Sequence, residues 1–297
     1  MIFLTVITCL LINHYWRRER RLPVDGWFDA WQAWLISHAH RLPAFMRHWS
    51  GTLPLLALLL PIVPPALLLW LAEERLFGLL SFGLHVLIVT YCLTRFNLVV
   101  LIENYLACWR LGSYEVAYLE AAEQAPDAFH TRVDDYTVMH QQFLEYVVTV
   151  SLRRLFAMLF WYIVLGPLGA LFYFLLQQML NADVLMEDRA DVRAWQRVLS
   201  TAEWVPARLL ALAFALAGDF VAAFQRLRER LFDNLQPGHN VALLNDCAVS
   251  AIGKPDTAIG DAEYSVQAVW RLEALRDLVL RSQIVWVIAV ALIILVV

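Results

Sequence analysis

Lysine is almost missing from this 297-residue chain: Lys254 stands alone, and the rest of the 23 basic residues are arginine. Charge of any kind is sparse, at 17% of residues, and the formal net charge is −4. No basic tract interleaves with aromatic residues, so the electrostatic footprint of a nucleic-acid-binding protein is absent. The four cysteines, Cys9, Cys92, Cys108 and Cys247, form no CxxC pair and meet no histidine at metal-ligand spacing. That excludes a zinc ribbon or a dithiol redox centre and reads as buried, reduced thiols. GxSxG, HExxH and GxGxxG are missing as well, which removes the usual signatures of a serine hydrolase, a zinc protease and a dinucleotide enzyme. No basic residue precedes the first apolar run and no small-residue cleavage pattern follows it, so a cleaved signal peptide is not expected.

What the chain has instead is apolar surface. Hydrophobic residues make up 61% of it, with a mean hydropathy of +0.58. Soluble domains do not reach that composition, and an integral membrane protein is expected. A helix needs about 20 apolar residues to span the hydrocarbon core. Residues 53–71 qualify, kinked by Pro61, Pro64 and Pro65; so do 79–102, interrupted by Arg95 and Asn97, and 155–176, broken at Gly166 and Pro167. The run 284–297 reaches membrane length if its helix begins near Leu275, and the run 1–16 is marginal. Between the first two runs, Trp27, Phe28, Trp31, Trp34 and Leu35 recur at spacings of three and four, which predicts an amphipathic helix over 24–40 with its aromatic side at headgroup depth. His38 and His40 fall inside it; without further ligands they read as interfacial packing and not as a metal site.

The expected organisation is all-α. Membrane helices and the interfacial helix occupy 1–102, an acidic helical cytoplasmic segment 103–152, and a Gly-Pro-broken membrane helix 153–178. A helical region follows over 179–276, then a C-terminal membrane helix over 277–297. Within 179–276 the apolar segment 204–222 decides the topology. Arg17, Arg18, Arg20 and Arg21 place the first polar loop inside by the positive-inside rule. Arg226, Arg228, Arg230, Lys254, Arg271 and Arg276 return to the cytoplasm only if 204–222 is embedded in the membrane, as a crossing or a re-entrant hairpin.

Candidate polar sites are few. Arg208 and Asp219, 11 residues apart, are separated by about 16 Å in a helix and cannot pair. Each end is read either as a snorkelling charge or, for Arg208, as a contact for an anion or carboxylate in the bundle interior. Glu203 stands beside this segment, and Arg95 and Glu103 flank the third apolar run. The stretch from Cys247 to Asp256 ends in Gly253 and Lys254 like a phosphate loop. Ala248 takes the place of its first glycine and Pro255 that of its Ser or Thr, so it lacks the cradle that would bind ATP.

Two segments, FWYIVLGPLGALFYFL (160–175) and WVPARLLAL (204–212), resemble the paired signature of the AmpE family of bacterial inner-membrane proteins, implicated in β-lactamase induction. That family is distantly similar to the CobD/CbiB membrane enzymes, which attach an aminopropanol arm to cobalamin precursors. The enzyme branch carries an acid-rich pattern leading into the first of these helices. Glu145 falls on its first acid, but 146–161 holds no acid at all. The resemblance therefore implies a non-enzymatic signalling modulator in the inner membrane. Expected partners are the lipid bilayer and another membrane protein, a single transmembrane helix or a cell-wall-derived ligand; no cofactor, metal or nucleic acid is implied. The alternative it leaves is a divergent cobamide-type transferase. Arg208, Glu203, Asp219, Glu145, Arg95 and Glu103 are the candidate ligand contacts, with no catalytic residue among them.

Overall fold

The computed structural model describes residues 2–15, 26–38, 51–72, 78–93, 98–124, 129, 135–182, 189–231, 236–253 and 264–296. The expected all-α architecture is what they form, with no strand among them. In chain order the helices are α1 (Ile2–Tyr15), α2 (Gly26–His38), α3 (Thr52–Leu59), α4 (Val63–Ala72), α5 (Leu79–Leu93), α6 (Leu98–Arg110) and α7 (Tyr114–Gln124). They continue with α8 (Tyr136–Val150), α9 (Ala157–Ala182), α10 (Arg189–Ala217), α11 (Phe220–Glu229), α12 (His239–Ile252) and α13 (Tyr264–Val296). Among the described residues, four stretches are long and apolar enough to cross a membrane: Thr52–Ala72, Leu79–Arg110, Tyr136–Asn181 and Ala190–Ala217. The chain is an all-α polytopic membrane protein. Helix α1 is apolar but shorter than a crossing over Ile2–Ile12, which agrees with its marginal reading.

Proline and glycine set the local breaks. Pro61 sits in a 3₁₀ turn, Leu60–Ile62, between α3 and α4, and Pro64 and Pro65 fall in the first turn of α4. A first turn has backbone N–H groups without helical partners, so proline is tolerated there. In α9 the break is at Gly166, whose φ of 72° and ψ of −163° belong to backbone that side chains other than glycine's resist. Pro167 follows and cannot donate to the helical ladder. The join between α8 and α9 is a π-helical turn, Ser151–Phe156, where the Ser151 hydroxyl donates back to the Val147 carbonyl at 2.7 Å.

The described chain divides into two compact units, residues 1–95 with 157–202, and 96–156 with 203–297. In the first unit α5 packs on α1 and α9, and α3 packs on α2 and α9. Val89, Cys92, Tyr173, Phe174 and Leu175 are buried there. Helix α2 docks through Phe28 and Leu35, and Trp31 donates its indole N–H to the Ala57 carbonyl at 3.3 Å. The aromatic residues of α2 are thus shared between two directions: Trp27 and Trp34 are exposed while Phe28 is buried. In the second unit α6, α8, α12 and α13 surround a core that includes Ile102, Phe143, Leu244, Leu272 and Val279.

Candidate functional site

The VPARL segment lies inside α10 and not at the start of an isolated apolar stretch. The span begins at Ala190, well before residue 204, and the helix ends at Ala217. Residues 218–222 of the expected segment 204–222 therefore lie beyond the end of α10. The cause at the far end is Gly218 and Asp219: the Asp219 carboxylate accepts from the Ala222 N–H at 3.1 Å and caps a new helix, α11. Arg208 and Asp219 accordingly belong to different helices and do not share a helical face.

Arg208 is 8% exposed. Its Nη1 donates to the Trp204 carbonyl at 3.3 Å and to Asn240 Oδ1, and its Nε donates to the Leu231 carbonyl at 3.3 Å. The guanidinium also lies over the Trp204 ring, 4.5 Å from its centroid. Trp204 is one helical turn back on α10, Leu231 follows α11, and Asn240 opens α12. One side chain therefore ties α10 to the turn after α11 and to the first turn of α12. The planar guanidinium can serve several acceptors at once and still stack on indole, which a lysine ammonium cannot do. A cation this deeply buried has to be solvated by protein dipoles, and here two carbonyls and an amide oxygen do it.

Glu203 is 2% exposed and meets Arg153 from the π-helical turn, with Nε to Oε1 at 2.7 Å. This charge-assisted hydrogen bond joins the start of the VPARL segment to the π-helical turn that follows α8. Sequence does not reveal Arg153 and Asn240 as partners because their signal is tertiary: they stand 50 and 32 positions from Glu203 and Arg208. The remaining candidates stand elsewhere. Glu103 and Glu145 are exposed, on α6 and α8, and Asp219 is an exposed helix cap. Arg95 lies outside the described residues, as do His40 and Lys254. The ring of His38 stacks on Trp34 at 4.4 Å between centroids.

The stretch that begins at Cys247 does not open as a phosphate loop. Ala248 is buried in the middle of α12 and only Gly253 ends the helix, so no loop exists at the first half of the would-be phosphate motif. Among the described residues no three His, Cys, Asp or Glu side chains cluster to hold a metal. His140 is buried among aromatic rings, 4.9 Å from Trp109 and 6.0 Å from Tyr105, centroid to centroid. What the Arg208 and Glu203 arrangement does chemically is hold charge in place: both ionic groups are oriented by partners within the second unit. Compared with protein-family models, with curated proteins and with solved structures, the chain matches none of them.

Proposed function

We propose that this protein acts as a signalling modulator in the bacterial inner membrane, of the AmpE type, linking cell-wall state or a membrane partner to β-lactamase induction without turnover of a substrate. The observation that carries the reading is the engagement of Arg208 by Trp204, Leu231 and Asn240. An arginine that holds a substrate or an activated phosphate presents its donors to the ligand. This one presents them to the chain itself, and a ligand entering there would have to displace three protein acceptors. The same stitching suits a protein that transmits state: a change in the tilt of α10 is carried to the turn after α11 and to the start of α12, because one side chain bonds both.

Two measurements test it. A β-lactamase reporter strain should lose inducible expression when the chain is removed, and Arg208→Ala should reproduce that loss while the protein still reaches the membrane. Purified protein warmed with ATP, a cobinamide or a muropeptide should be stabilised by neither of the first two, since a ligand that prefers the folded state raises apparent stability. Stabilisation by cobinamide that vanishes in Arg208→Ala would overturn the reading in favour of a cobamide-type transferase.

A further inference from the structure

Helix α11 starts three residues beyond Ala217, the end of an apolar stretch long enough to cross a membrane. The corner between them is fixed. The Asp219 N–H donates to the Ala251 carbonyl at 2.9 Å, and a Cβ placed on Gly218 would meet that same oxygen at 2.5 Å. One side of α11, Ala223 and Leu227, is buried, and the helix packs on α12. The adjoining side is apolar yet uncovered: Phe220 is 47% exposed, Val221 75% and Phe224 40%. Phe220 and Phe224 stack at 5.2 Å, and Arg228 continues their stripe one turn further on, since residues four apart share a helical face. Two neighbouring arginines pair with acids, Arg226 with Glu229 and Arg230 with Asp246.

We propose that α11 lies in the headgroup–acyl boundary of the bilayer, with Phe220, Val221 and Phe224 among the acyl chains and Arg228 on the phosphate of an anionic lipid. Two exposed phenylalanines and a valine within five residues need a cover. The bilayer is the occupant that the chain's own continuity supplies, because α10 already belongs to an apolar span ending just before α11. The order along the helix matches an interfacial segment: large apolar side chains first, arginine after them, where a long stem reaches headgroups. Attraction of arginine to an anionic surface adds to the apolar burial.

The test uses the full chain with Cys108→Ser, one copy per nanodisc, and single cysteines placed by Val221→Cys, Phe224→Cys and Glu229→Cys. A water-soluble maleimide should label positions 221 and 224 at least about tenfold more slowly than 229, since only the thiolate reacts and lipid suppresses it. Discs of phosphatidylcholine with phosphatidylglycerol should protect more than phosphatidylcholine alone, and Arg228→Gln should erase that difference. Val221 is the most exposed of the three, so its variant keeps the test valid if Phe224→Cys fails to fold. Equal labelling at 221 and 229 overturns the proposal. So does protection that appears only in discs carrying two copies, which would assign the face to a second chain, and so does protection indifferent to anionic lipid.

Discussion

At the scale of the residue, Arg208 carries the most consequence. Removing it deletes the charge-assisted hydrogen bond to the buried Asn240 side chain, and a hydrogen bond to a charged group contributes about 1.5–3 kcal/mol. Arg208→Ala should therefore lower the denaturation midpoint in detergent, and Arg208→Lys should recover little, because an ammonium on a flexible stem cannot reach the three acceptors and stack on Trp204 together. Cys247 gives a second, pH-dependent test. Burial, with the Asp246 carboxylate adding to it, pushes this thiol from its ordinary 9.0 up to about 12. The unfolded thiol then ionises first, so its contribution to stability is intact below the ordinary value and is lost as pH rises between the two. We expect Cys247 to resist alkylation at neutral pH until the protein unfolds, and Cys247→Ala to flatten the loss of stability in alkali; rapid labelling of folded protein would contradict this. Asp135 works in the opposite direction. The Thr137 hydroxyl and N–H, both 2.7 Å from its carboxylate, hold it below the usual 3.8. Its cap is present above that value and is lost as pH falls through the lowered one, so the protection of the amides at the start of α8, taken relative to their intrinsic exchange rates at each pH, should fall in acid, and Asp135→Asn should remove the dependence.

At the scale of the element, two glycines separate backbone strain from packing. Nothing lies within 4 Å of a Cβ placed on Gly166, so Gly166→Ala should cost only its strained dihedrals, about 1–3 kcal/mol. Gly218→Ala fails for the other reason: its Cβ would run into the Ala251 carbonyl, and overpacking of this kind costs about 1–3 kcal/mol and loosens the α10–α11 corner. Asp219→Ala removes only the cap of α11, about 1 kcal/mol. Thermal shifts of the three variants in the same detergent, with amide exchange of α11, distinguish the cases: Gly218→Ala and Asp219→Ala should both speed exchange in α11, and Gly166→Ala should leave it unchanged. The Gly166–Pro167 break was legible in advance because the residues that break helices do so by local sterics. The end of α10 was only partly so: Gly218 weakens the helix locally, but what fixes the corner is Asp219 capping the next helix while its N–H bonds Ala251, 32 positions away.

At the scale of the molecule, the arginine distribution yields an orientation that reporter fusions can check. With the first loop inside, a fusion after Arg75 should report the outer face, one after Gly112 the cytoplasm, one near Asp188 the outer face, and one after Arg230 the cytoplasm. A fusion after Arg230 active on the outer face would mean that Ala190–Ala217 does not cross. The same count places Arg226, Arg228 and Arg230 on the cytoplasmic side, which is where an anionic lipid surface would meet α11.

Sequence by itself determined the solvent. A chain this apolar has no aqueous fold, and hydrocarbon, which offers no hydrogen-bond partners, forces its backbone into helices. The proline and glycine positions then fixed the kinks at 61–65 and 166. Only the tertiary structure decided what the scattered charges do. Arg208 with Asn240, and Glu203 with Arg153, are 32 and 50 positions apart, and no periodicity links residues at such separations. Burial removes each charge from water, and the chain brings a distant partner to replace the lost hydration; composition cannot name that partner, because it is chosen by how the helices pack.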